Sequence, residues 1–142
     1  RDSLMSEETL SEMFTLFPQK GYKIFLKKHP FYKGSWVDKI AEKYNLELTG
    51  PEDDAGEIIL NLQPSFTVSW RSTALCESLQ SGVIPITLLD KTSKKYNYVD
   101  APPIVYPIQK RCLSWQEERK EIDQLISNMS EYPNYLEILK SR

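Results

Sequence analysis

The sequence predicts an α/β fold, a mostly parallel sheet with helices on both faces, and three observations predict it. Helical and strand patterns alternate along the chain at the spacing of β-α-β units. Val83 to Leu89 (VIPITLL) is apolar throughout, as a strand buried on both faces is. The 142 residues, 40% hydrophobic and 27% charged, suit one ordinary core, so residues 1–142 read as a single domain.

The elements follow in order. Ser6 caps a first helix whose first turn carries Glu7 and Glu8, where carboxylates suit the positive end of the helix dipole. Leu10, Met13, Phe14 and Phe17 make its inward face, and Pro18 with Gly21 marks its exit. Tyr22 to Lys27 (YKIFLK) is a strand that breaks at His29-Pro30. Ser35 and Asp38 have capping-box-like spacing before a helix with Val37, Ile40, Ala41 and Tyr44 on one face. Leu46 to Thr49 is a short strand, and Glu57 to Leu62 a weak helical piece after an acidic turn. Phe66 to Trp70 is a strand, and Thr73 to Ser81 a helix stopped by Gly82. After the strand at Val83 to Leu89, Lys91 to Asp100 reads as a polar loop and Ile104 to Val105 as a last short strand. Ser114 and Glu117 form a capping box for a terminal helix with Ile122, Leu125, Ile126 and Met129 inward. Pro133 ends it, and Tyr135 to Leu139 adds a final turn or two.

Bulk properties exclude several classes. A formal charge of −2 gives no global attraction for nucleic acid or anionic lipid, so any anion site must be local. The longest apolar stretch, Val83 to Leu89, is too short to span a bilayer, and no signal peptide is present. Cys76 and Cys112 lack metal-ligand spacing and read as reduced, partly buried thiols. No Walker loop, G-x-G-x-x-G, zinc pattern, G-x-S-x-G or HExxH occurs, which with one histidine and few glycines argues against hydrolase triads and classical dinucleotide binding. The chain opens on Arg1 almost directly into a helix, which predicts a fragment of a longer protein.

Parallel sheets bind ligands at the carboxyl ends of their strands, and three loops there carry polar groups. Lys27-Lys28-His29-Pro30 places two lysines and the single histidine after the first strand, a patch fit for a phosphate or simply a solvated basic turn. Arg71-Ser72-Thr73 opens a helix, where free backbone N–H groups and two hydroxyls hold an anion or only cap the helix. Arg71 suits a sugar carboxylate or phosphate, and equally a surface ion pair. Glu57 and Glu77 are carboxylates able to accept both hydroxyls of a ribose, or plain surface glutamates.

These residues resemble a family. Lys27-x-His29-Pro30, Glu57-Ile58-Ile59-Leu60 and Ser72-Thr73 are similar to the K-x-H-P, F-E-[IVA]-L and S-[ST] elements of bacterial GT-B sialyltransferases, whose HP and S-[ST] parts capsule polysialyltransferases and lipooligosaccharide sialyltransferases share. The resemblance covers about Tyr22 to Leu88. It implies a Rossmann-like domain, the C-terminal half of a GT-B fold, which binds a CMP-sugar and transfers sialic acid or a related sugar to a glycan. His29 would contact the phosphate and assist its departure, making it the catalytic residue. Ser72 and Thr73 would bond the same phosphate, Lys27 and Pro30 would lie near the cytosine, and Glu57 would hold the ribose. The family's catalytic base lies in an N-terminal acceptor-binding domain with no counterpart here, so this chain alone is expected to be inactive. A cytoplasmic enzyme, peripheral to the inner membrane face, is implied, with no nucleic-acid partner. Two departures are Gly56, where an aromatic is common, and Ser72-Thr73 in place of Ser-Ser.

A second resemblance competes. Glu77 to Pro85 is similar to the E-x-x-x-x-G-x-P segment of retaining GT-B enzymes, which would give Glu77 the ribose of a UDP- or GDP-sugar. The remaining alternative is a non-catalytic α/β module binding protein partners through Trp36, Trp70, Trp115 and the C-terminal tyrosines, although core packing accounts for most of those rings. Lys91 to Tyr98 reads either as a lid over the donor or as a plain solvated loop.

Overall fold

The computed structural model describes residues 7–27, 36–49, 54–69, 73–88 and 111–142. In them the order is α1 (Glu7–Gln19), β1 (Phe25–Lys27), α2 (Trp36–Lys43), β2 (Glu47–Thr49), α3 (Ala55–Leu62), β3 (Phe66–Ser69), α4 (Thr73–Gln80), β4 (Ile84–Thr87), β5 (Leu113–Ser114), α5 (Arg119–Ser127), a 3-10 turn (Met129–Glu131) and α6 (Tyr135–Lys140). The fold is α/β, and every strand pairing among the described residues is parallel. Parallel neighbours need a crossover, and α2 and α4 supply it for the β1–β2 and β3–β4 pairs.

The strands form two sheets, β1-β2 and β3-β4-β5, where the sequence predicts one. Part of the reason is the expected strand at Tyr22 to Lys27, which shortens to Phe25–Lys27. Tyr22 leaves the ladder for an aromatic cluster instead. Its ring lies 5.8 Å from Phe17 and 5.6 Å from Phe66, and its hydroxyl donates to the Ile126 carbonyl at 3.4 Å. Side-chain burial there outweighs strand extension.

β4 is the centre of the core. Its four residues alternate between the two sheet faces, and all four are buried, so both faces of the sheet are covered there. Pro85 occupies this central strand without breaking it. The N–H groups of Ile84 and Leu88 donate to Ser65 and Ser69 carbonyls on the β3 side, so the missing N–H of Pro85 points to the β5 side. Pairing with β5 begins only at Ile86, one residue later.

The inward face of α1 matches its spacing: Leu10, Met13, Phe14 and Phe17 are all buried. They join Leu79, Ile84, Ile86, Leu113, Ile122, Leu125, Ile126 and Leu139 in one cluster. Trp115 is buried there too, at 4% exposure, against Phe17 and beneath the Arg119 guanidinium, which lies 4.1 Å from the ring centre. It is therefore a core residue and no part of an aromatic binding surface. Trp36 opens α2 and is 44% exposed.

β5 was not expected from the sequence. Two residues, Leu113 and Ser114, carry too short a pattern to read, yet both are fully buried beside β4. The expected strand at Ile104 to Val105 and the loop from Lys91 to Asp100 lie outside the described residues, as does Trp70. The capping box at Ser114 forms with one change. Ser114 Oγ accepts from the Glu117 N–H at 3.2 Å, but the reciprocal carboxylate on the Ser114 N–H is Glu118, at 3.0 Å. Because Ser114 belongs to β5, the box closes the turn into α5, which starts at Arg119.

The C-terminal segment is fastened to that turn. Arg142 donates to both Glu118 carboxylate oxygens, at 3.2 and 2.6 Å, and to the Cys112 carbonyl at 3.3 Å. Its guanidinium is held charged chiefly by Glu118, against the opposing effect of burial. Nearby, the Tyr135 hydroxyl donates to Glu121 at 3.0 Å. Burial, then Glu121, pushes its pKa up to about 12. The folded state thus holds the phenolic proton more tightly than the unfolded chain, whose tyrosine has its ordinary pKa of about 10. Stability from this group is full below pH ~10 and is lost as pH rises towards ~12. Tyr135→Phe is expected to flatten the alkaline fall in urea-unfolding free energy between pH 9.5 and 11.5, as judged by chevron-free equilibrium melts at each pH. An unchanged fall would remove Tyr135 as its source.

Candidate functional site

β1 and β3 begin at the same aromatic cluster, through Tyr22 just before β1 and Phe66 at the first position of β3. No ladder joins the two strands among the described residues. From β1 the chain crosses to β2, and from β3 it proceeds through β4 to β5. Ligands of parallel sheets bind where the strand order diverges in this manner, outside the carboxyl ends, because the loops part there.

α3 is followed by residues 63–65 and then β3, and β3 by residues 70–72 and then α4. α3 packs on α4: a Cβ at Gly56, in the first turn of α3, would collide with Glu77 Oε2 of α4.

Among the residues marked by the sequence, Lys27 is the last residue of β1, partly buried and in register with Thr49. Thr73 is the first residue of α4. Glu57 lies exposed in the first turn of α3, and Glu77 is half-buried in α4. His29, Pro30, Arg71 and Ser72 lie outside the described residues. Glu57 and Glu77, which the sequence offers as rivals for one role, therefore sit on adjoining helices at one edge. Pro85 stands three residues after Gly82, one more than the retaining-enzyme segment has, and is buried in β4.

Two site residues escaped the sequence reading. Asp54 is the N-cap of α3, its Oδ2 accepting from the Glu57 N–H at 3.0 Å. The signal was present in the Asp54-x-x-Glu57 spacing, which is that of a capping box. Gly56 was noted only for lacking an aromatic ring. The contact with Glu77 supplies the reason: a ring there would need the space that the carboxylate fills.

Carboxylate oxygens of Asp54 and Glu77 lie beside Gly56 in the first turn of α3, an acidic place that suits hydroxyl donors better than a phosphate. Cys76, beside Glu77, is buried, and its thiol is pushed up by burial and then by the Glu77 charge. A raised thiol is a poor nucleophile. Cys112 is likewise buried. No disulfide joins them. Among the described residues no group of His, Cys, Asp and Glu has the arrangement to hold a metal ion, and no helix is long and apolar enough to cross a membrane. A shallow groove runs along α1 past Glu8, Glu12 and Arg119. Arg119 is committed there to Glu12 at 2.5 Å and Asp123 at 2.9 Å.

No family model, curated protein or solved structure matches this chain.

The cap bond makes a stability test of the site's scaffold. Asp54→Ala is expected to cost about 1 kcal/mol in equilibrium urea unfolding, because the Glu57 N–H loses its acceptor. Asp54→Ser, which keeps an acceptor oxygen, is expected to recover most of it.

Proposed function

We propose that this chain is the donor-binding domain of a sialyltransferase-like glycosyltransferase that uses a CMP-linked sugar. What supports the reading is the packing of α3 on α4, which brings Glu77 against the first turn of α3 beside Asp54, together with the resemblance of Lys27-x-His29-Pro30 and Ser72-Thr73 to the family's phosphate-binding elements. In this reading the start of α4 takes the phosphate, and the carboxylates take the ribose hydroxyls next to it. A nucleotide presents those two groups at neighbouring positions.

In this reading His29 and Lys27, on and after β1, approach the phosphate from the other side of the crevice. His29 assists departure of CMP as a cation or by donating a proton, and Ser72, Thr73 and Arg71 hold the phosphate's charge. No metal or other cofactor is required. The glycan acceptor and the base that deprotonates it belong to an N-terminal domain, so the chain by itself binds donor without transferring sugar. The full enzyme would work in the cytoplasm, peripheral to the inner membrane face, in capsule or lipooligosaccharide synthesis.

A UDP- or GDP-sugar donor is the second reading, favoured by one observation: Glu77 is the carboxylate seated against α3, whereas Glu57 is exposed. Isothermal calorimetry with CMP, UMP and GMP separates the two. CMP is expected to bind at least tenfold more tightly than either of the others. Tighter UMP or GMP binding would move the chain to the second reading, and absence of binding by all three would remove the transferase assignment.

A further inference from the structure

The outer side of β5 carries an arrangement that a plain surface ion pair does not explain. Among the described residues β5 stands at the edge of its sheet. In a parallel strand the backbone groups of alternate residues face opposite neighbours. The Trp115 N–H donates to the Thr87 carbonyl of β4 at 2.9 Å, so the Cys112 carbonyl and the Ser114 N–H face away from β4. A single residue of a further parallel strand would engage those same two groups, its N–H on the first and its carbonyl on the second.

Two side chains stand in that residue's place. Arg142 Nη1 donates to the Cys112 carbonyl at 3.3 Å, and Glu118 Oε1 accepts from the Ser114 N–H at 3.0 Å. Donor and acceptor are joined to each other, with Arg142 Nη1 3.2 Å from Glu118 Oε1 and Nη2 2.6 Å from Oε2. The guanidinium–carboxylate fork thus offers β5 one donor and one acceptor, as a residue of a neighbouring strand does. The geometry points to the Arg142–Glu118 pair as a surrogate strand residue, carried by a C-terminal strap, that closes the outer edge of β5 against pairing with a second copy of this chain.

The strap holds the fork in place. Leu139 of α6 is fully buried, and Leu136 reaches the turn at Gly82. Past α6 the Arg142 N–H donates to the Leu139 carbonyl at 3.2 Å, so the guanidinium starts from a fixed backbone. Cys112, Leu113 and Ser114 are fully buried, and a buried backbone group that loses its partner costs more than an ordinary hydrogen bond contributes. Exposed ion pairs add little to stability, whereas an open strand edge invites another strand. Across a two-fold axis an identical edge meets its own complement, so a second copy is the partner that the open edge fits.

Hydrogen exchange of the Ser114 amide and sedimentation velocity of the whole chain test this together, and neither involves a nucleotide. Exchange is read against the Leu88 amide, which donates to Ser69 of β3 and reports opening of the core instead of the edge. Glu118→Ala is expected to speed Ser114 exchange relative to Leu88 by at least about tenfold, the scale of one hydrogen bond to a charged acceptor. Glu118→Gln keeps a carbonyl oxygen for the N–H and is expected to stay within about threefold of wild type. The double variant Arg142→Ala, Glu118→Ala is expected to gain a concentration-dependent association that the wild type lacks at the same concentrations. Ser114 exchange unchanged in Glu118→Ala, or lost equally in Glu118→Gln, overturns the surrogate role. A double variant that sediments as the wild type does at every concentration overturns the closing of the edge. Loss of a cooperative melt in both Arg142→Ala and Glu118→Gln overturns the proposal too, because the pair would then hold the core and not the edge.

Discussion

Parallel strands cannot be joined by a tight hairpin, and most of this molecule follows from that constraint. Each parallel pair needs a crossing segment, so α2 lies between β1 and β2, and α4 between β3 and β4. Crossing helices cover the strands, which allows β4 to be apolar and buried on both faces. They also begin at the carboxyl ends of the strands they follow. Helix starts, with their unpaired N–H groups and their capping side chains, therefore accumulate along one edge. The edge chemistry is a consequence of the topology before any individual residue is considered.

That edge is divided by charge. On the α3 side Asp54, Glu57 and Glu77 crowd together, and one of them is spent on capping. At the far end, by contrast, the turn from β5 into α5 is closed off. Trp115 N–H donates to the Thr87 carbonyl at 2.9 Å, the Gln116 amide donates to the Leu88 carbonyl at 2.9 Å, and Arg142 braces Glu118 beside them.

Periodicity made much of this legible. The inward stripes of α1 and α5 and the apolar run of β4 were plain because burial of one face imposes a repeat that short-range pattern reading detects. Gly82 was readable as a helix stop, and it has φ +82°. What escaped depends on contacts between distant residues. Tyr22 left its expected strand for Phe17 and Phe66, and no local preference announces that exchange. β5 is two residues long and exists because β4 offers a free side. At the site, Glu57 and Glu77 appeared as competing candidates 20 positions apart in sequence (77 − 57). Only the packing of α3 on α4 makes them neighbours, and only that packing explains the glycine at 56.

The central proposal is spatial: a nucleotide binds between the segments that follow β1 and β3. Backbone amide NMR of the ¹⁵N-labelled chain during titration with CMP locates the contact directly. The account predicts the largest shifts at residues 27–30 and 71–73, with smaller ones at 54–57 and around 77. Shifts gathered along α1 near Glu12 and Arg119, or spread over the β5–α5 turn, would contradict it.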